Sequence, residues 1–190
     1  LRLKYGKITN WDTSEVTDMS RAFQNKNGFN SDISKWNTSK VIDMSNMFGA
    51  ATKFNADISK WDTSSVSTMK NTFREAETFN ADISKWMTSK VTEMTAMFDN
   101  AIEFNSDISM WDVSNVEWLD RMFYGAIAFN SDIKKWNVIR VTSMHIMFER
   151  DDINTDNNIL IPDKVSFAQG VWCSKAWVRS PFVEANIPAG

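Results

Sequence analysis

Apolar residues recur along this chain at one fixed interval. Trp11, Trp36, Trp61, Trp86, Trp111 and Trp136 stand 25 residues apart, and the same period carries Ile8 through Ile133, Val16 through Val141 and Phe23 through Phe148. Such self-similarity is the signature of a repeat array, in which each copy is one supersecondary unit. A second Phe series, Phe29, Phe54, Phe79, Phe104 and Phe129, is followed each time by Asn and two residues later by Asp. Within one copy, Val41, Met44, Met47, Phe48 and Ala51 fall at i, i+3, i+6, i+7 and i+10, which predicts a short helix. Thr38 or Ser39 stands before it as the N-cap. The other half of the copy, from Phe29 to Trp36, predicts a short extended segment around Asp32, Ile33 and Ser34. Ile33 and Trp36 would face opposite sides of a regular strand, so the chain must bend between them if both are buried.

One copy buries too little to offset the backbone entropy of ordering its residues, so stability must come from neighbours stacked on one another. The expected architecture is an α/β, right-handed solenoid of about six 25-residue coils, each a short parallel strand plus a short helix. Its parts are an N-terminal lead-in over 1–10, the repeats over 11–150, and a degenerate seventh coil with a C-terminal cap over 151–190. In the last part Val165, Ala168, Val171 and Trp172 keep the helical spacing, whereas Trp177, Pro181 and Phe182 follow no period.

Composition narrows the function. Twenty-one basic against 24 acidic residues give a net charge of −3, which provides no electrostatic footprint for nucleic acid. One Cys forbids an internal disulfide and one His leaves little for a zinc site. No run of 18 apolar residues is present to span a bilayer. The start at Leu1, without an initiator Met or a charged and then apolar leader, is read as a fragment or processed form. His145 and Cys173 have no motif-supplied partner, so no catalytic residue is expected.

The runs FNADISKWDTSSVSTM (54–69) and WDTSEVTDMS (11–20) resemble the BspA-type leucine-rich-repeat surface proteins, whose 25-residue unit is also known as a mycoplasma-type surface-protein repeat of unknown function. The likeness spans about residues 5 to 150, and the IPDKV segment (161–165) is similar to the strand-to-turn stretch of other leucine-rich repeats. The resemblance implies a cell-surface or extracellular module used for attachment or protein contact, with no cofactor.

Candidate sites lie off the core positions. Asp32, Asp57, Asp82, Asp107 and Asp132 form a ladder whose stacked carboxylates must be compensated. Either backbone N–H groups and the neighbouring lysines do so, or bound calcium does, and the latter would make the chain a calcium- or carbohydrate-binding adhesin. The Asn ladder Asn30, Asn55, Asn80, Asn105 and Asn130 reads as amides bonding backbone between coils. The hydroxyl ladder of Thr13, Thr38, Thr63 and Thr88 reads as helix capping, with ice binding as the minor alternative. Trp118 replaces the Asp18, Asp43, Thr68 and Glu93 of other copies. Arg121 and Tyr124 follow it along the expected helical stripe, and Ile146 lies in the next copy. Trp, Tyr and Arg are the residues enriched at interface hot spots, so these four predict a protein-binding surface on the convex side. Met87 and Met110 would add a smaller apolar patch. Asn37-Thr38-Ser39 is the one glycosylation sequon, relevant if the chain is secreted.

Overall fold

The computed structural model describes residues 6–148. The expected seventh coil, the C-terminal cap and Cys173 lie outside them. Numbered from the Phe-Asn positions, the coils run 6–28, 29–53, 54–78, 79–103, 104–128 and 129–148.

Successive coils lie in register. Single parallel bridges join Asp18 to Asp43, Asp43 to Thr68, Thr68 to Glu93, Glu93 to Trp118 and Trp118 to Ser143, one step of 25 residues each time. The indoles of Trp36, Trp61, Trp86 and Trp111 stack with centroids 6.3–6.5 Å apart and planes within 4°. Two Phe rows run beside them. Phe48 of the second coil stacks at 3.7 Å on Phe54, which opens the third, and meets Phe73 of that third coil at 5.5 Å. Ile58, Val66, Met69, Phe73, Ala76 and Phe79 are fully buried, as are their counterparts in neighbouring coils.

The coils are not built from a strand and a helix. Among the described residues the one helix is a 3-10 turn at Ile8–Asn10, and the bridges do not extend into strands. The expectation of an α/β, leucine-rich-repeat-like solenoid is therefore corrected. The spacing that predicted a helix over Val41 to Ala51 is produced by linked turns. Met47 N–H donates to Met44 O and Ala51 N–H to Phe48 O, while Asn46 and Ala50 adopt φ of 57° and 55°. A left-handed residue every fourth position breaks the α-helix, yet Met44, Met47, Phe48 and Ala51 still turn inward.

The alternate amides explain why this arrangement prevails. Met44, Asn46, Phe48 and Ala50 donate to the carbonyls of Thr68, Lys70, Thr72 and Arg74 in the next coil at 2.7–3.2 Å. An α-helix would spend those groups internally and would need about 8–10 Å between axes. Rings stacked at 6 Å leave no such room. The expected strand fails for a related reason. Ser34 N–H is taken by the Asp32 carboxylate, and Trp36 N–H closes a turn on Ile33 O. That turn is the bend required between Ile33 and Trp36, both of which are buried. The inter-coil ladder runs instead through Asp43 and its counterparts, 11 residues farther along.

Candidate interaction surface

Polar side chains also bond along the stack. Each core Trp donates Nε1–H to an Ile carbonyl of the preceding coil, as in Trp86 to Ile58 O at 3.2 Å and Trp111 to Ile83 O at 3.1 Å. The Asn ladder does what its spacing predicts: Asn80 N–H donates to Asn55 Oδ1 and Asn105 N–H to Asn80 Oδ1, both at 2.9 Å. The Thr ladder does not cap helices. Thr13, Thr38, Thr63 and Thr88 are buried and donate their hydroxyls to the carbonyls of Asn37, Asp62, Met87 and Asp112 in the next coil at 2.9–3.0 Å. Burial also removes these hydroxyls from any water-ordering face.

In the Asp ladder, Oδ1 of Asp32, Asp57, Asp82 and Asp107 accepts the N–H of the serine two residues on, and Asp132 accepts that of Lys134, at 2.9–3.0 Å. The serine hydroxyl is the largest cause holding Asp32, Asp57 and Asp82 below the ordinary carboxylate range, the serine amide is second, and Lys35, Lys60 and Lys85 add to both. For Asp107 the Ser109 amide comes first and the hydroxyl second. Among the described residues no three His, Cys, Asp or Glu side chains gather in a way that could hold a metal ion.

Most of the departures from the repeat lie in the fifth coil, where they face the fourth on one side and the sixth on the other. Trp118 stands at the bridge position between Glu93 and Ser143 and is 39% exposed. In four other coils the residue there caps the amide two positions on, as Asp43 does for Ser45 and Glu93 for Thr95. Trp118 has no such acceptor. Its neighbour Asp120 bonds forward instead, accepting His145 N–H at 2.9 Å and the Ser143 hydroxyl. Arg121 and Tyr124 do meet: the guanidinium lies 3.9 Å above the ring centroid. They sit on turns rather than on a helical stripe, and Arg121 itself has φ 56°. Ile146, half-buried with φ 47°, occupies in the sixth coil the place that Arg121 holds in the fifth. Met87 and Met110 are 51% and 78% exposed. Asn37 is exposed, and its Oδ1 accepts both the amide and the hydroxyl of Ser39.

Beneath Arg121 lies a carboxylate, Asp99, that the repeat pattern does not single out. Asp99 is 1% exposed, accepts Arg121 Nε–H at 2.8 Å and Asn100 Nδ2–H at 2.7 Å, and has Arg74 Nε 4.0 Å away. Its counterparts Gln24, Gly49, Arg74 and Tyr124 share no residue type, so the position read as ordinary surface. The available signal was an acidic residue flanked by basic ones in both adjacent copies.

The family model described as Mycoplasma protein of unknown function, DUF285, matches residues 2–89 and, overlapping them, 56–159. The chain belongs to this family. The two DUF285 matches together cover the whole described stack, including every residue of the Trp118 and Asp99 neighbourhood. No curated protein and no solved structure matched the chain. In this DUF285 array no helix among the described residues is long and apolar enough to cross a membrane.

Proposed function

We propose that the chain is a non-enzymatic structural and protein-interaction module of a surface or extracellular assembly, of the BspA-like kind, and that it binds a protein partner through Trp118, Arg121, Tyr124 and Ile146. The observation that carries this reading is Trp118, a large aromatic left 39% exposed where other coils place a small polar cap. Interface hot spots are rich in Trp, Tyr and Arg, and they gain when side chains are already held in place before binding. The stacking of Arg121 on Tyr124 supplies that order. If the chain is secreted, Asn37 is the position that would carry a glycan.

Quantitative affinity capture from the source organism, comparing the parent chain with Trp118→Ser/Tyr124→Ser, tests this. The double variant should lose the retained partner while keeping the parent thermal midpoint. Equal retention by both proteins refutes the surface. A calcium-dependent rise in the midpoint would instead turn the Asp ladder into a ligand site, since a ligand that binds only the folded state raises the midpoint with its concentration.

A further inference from the structure

Identical coils create a problem of pairing. Every coil offers its neighbour nearly the same Trp, Phe, Ile and Met ladders, with Thr72 and Leu119 among the buried exceptions, so the core distinguishes the next coil from the one after it only weakly. A chain that skipped one coil would still align its ladders. What differs between coils is the set of non-repeating residues, and at one junction several of them interlock.

We infer that the cluster of Asp99, Asn100, Arg121 and Gly125 is a register lock that specifies the fourth coil as the neighbour of the fifth. Asp99 is buried and relies on Arg121 from the coil above, with Arg74 below at 4.0 Å. If the fifth coil were skipped, Ile146 would take the place of Arg121 and leave the carboxylate buried beside an aliphatic side chain. Skipping the fourth would set Arg121 over Arg74, whose guanidinium already holds the half-exposed Glu75 at 2.7 Å, in place of the buried Asp99. Both errors take Asp99 and Arg121 from their 2.8 Å partners. The Arg121 side chain is 38% exposed, so the cost falls on the buried carboxylate, and fixing register is the best-attested use of ion pairs buried in this way. Backbone fit reinforces the choice. The Asn100 side chain, drawn onto Asp99, fills the space where a Cβ on Gly125 would lie, 2.2 Å from Asn100 Oδ1. Gly125 has φ 64°, and the equivalent position one coil later is Arg150.

The test uses the full chain with Cys173→Ser and cysteine pairs as reporters. Ser84→Cys with Ser109→Cys links the fourth coil to the fifth. Ser84→Cys with Lys134→Cys bridges only if the fifth is skipped, and Ser59→Cys with Ser109→Cys only if the fourth is, because a disulfide needs Cα atoms within about 7 Å. After denaturation and oxidative refolding, the parent should form the adjacent bridge and few skipped ones. Replacing the lock by apolar residues, Asp99→Leu/Arg121→Met, should raise the skipped bridges at least about tenfold without lowering the thermal midpoint. If skipped bridges stay at the parent level in that folded variant, the lock is refuted. Should the apolar pair fail to fold, Asp99→Asn, which keeps the shape and removes the charge, must raise them, and its failure to do so refutes the lock equally. Arg121→Met alone must lower the midpoint relative to the apolar pair, since it strands Asp99; an equal midpoint means that Asp99 does not depend on Arg121.

Discussion

Replacing Thr63 by Val exchanges a hydroxyl for a methyl and leaves the shape of the side chain almost unchanged. The hydroxyl is buried and donates to Met87 O in the next coil at 3.0 Å. Its removal leaves that carbonyl without this donor. The bond is part-buried and its acceptor belongs to the half-exposed Met87, so its loss costs about 0.5–1.5 kcal/mol, and at about 2–4 °C per kcal/mol for an array of this size the thermal midpoint should fall by roughly 1–6 °C. The fifth coil supplies the reciprocal experiment. Val113 sits in the same slot, equally buried, and the ladder geometry places Asn137 O where a hydroxyl would reach it. Val113→Thr should therefore gain a bond worth about 0.5–1.5 kcal/mol and raise the midpoint by roughly 1–6 °C. Differential scanning calorimetry of the parent, the two single variants and the double variant measures both effects. Opposite signs are required. A neutral Thr63→Val together with a destabilising Val113→Thr would mean that the hydroxyls do not bond between coils, and the ladder would be wrong.

Other consequences are open to simple measurement. Trp86→Phe removes the indole donor to Ile58 O from the middle of the stack and should cost about 2–4 kcal/mol in denaturant unfolding; Trp11→Phe, at a position 38% exposed, should cost clearly less. The folded-state pKa values of Asp57 and Asp82 are depressed, so the stability they contribute is present above the ordinary carboxylate range and is lost as pH falls through their folded values. The midpoint should hold steady near neutrality and decline below about pH 4, and Asp57→Asn/Asp82→Asn, which keeps the acceptors, should flatten that decline; an unaltered acid limb contradicts the assignment. Gly125→Ala should destabilise by at least about 1 kcal/mol through its left-handed backbone and the contact with Asn100. Adding Asn100→Ala should recover part of that loss, and a strictly additive double variant would show that the contact is not the cause.

The 25-residue period, the membership of the core and the pairing of each coil with the next could all be read from the spacing of Trp, Ile, Val, Met and Phe. The local conformation could not. The stripe Val41, Met44, Met47, Phe48 and Ala51 has helical spacing, but a run of four-residue β-turns with a left-handed residue every fourth position presents the same face. Of the residues at those left-handed positions, Asn25, Asn46, Asn71, Asn100 and Gly125 carry the usual sequence signal, whereas Arg21, Ala50, Glu75, Ala96, Arg121 and Ile146 do not. They are held there because the bonds between coils outweigh about 1–3 kcal/mol of local strain at each. Propensity describes a single coil, and this backbone is decided by two. The candidate surface was partly legible. Trp118, Arg121 and Tyr124 stood out as departures from the consensus, but Asp99 went unnoticed, because a lone acid at a variable position looks like solvent-facing surface until its partners are placed in the adjoining coils.

The central claim is that amide groups in the Val-to-Ala half of each coil bond to the next coil rather than within a helix. NMR scalar couplings across hydrogen bonds test it directly. The amide nitrogen of Asn71 should couple to the carbonyl carbon of Thr95, and that of Phe73 to Met97, across bonds of 2.9 Å. Couplings from Asn71 to Ser67 and from Phe73 to Met69, four residues back along the same coil, would mean an α-helix and would contradict the account.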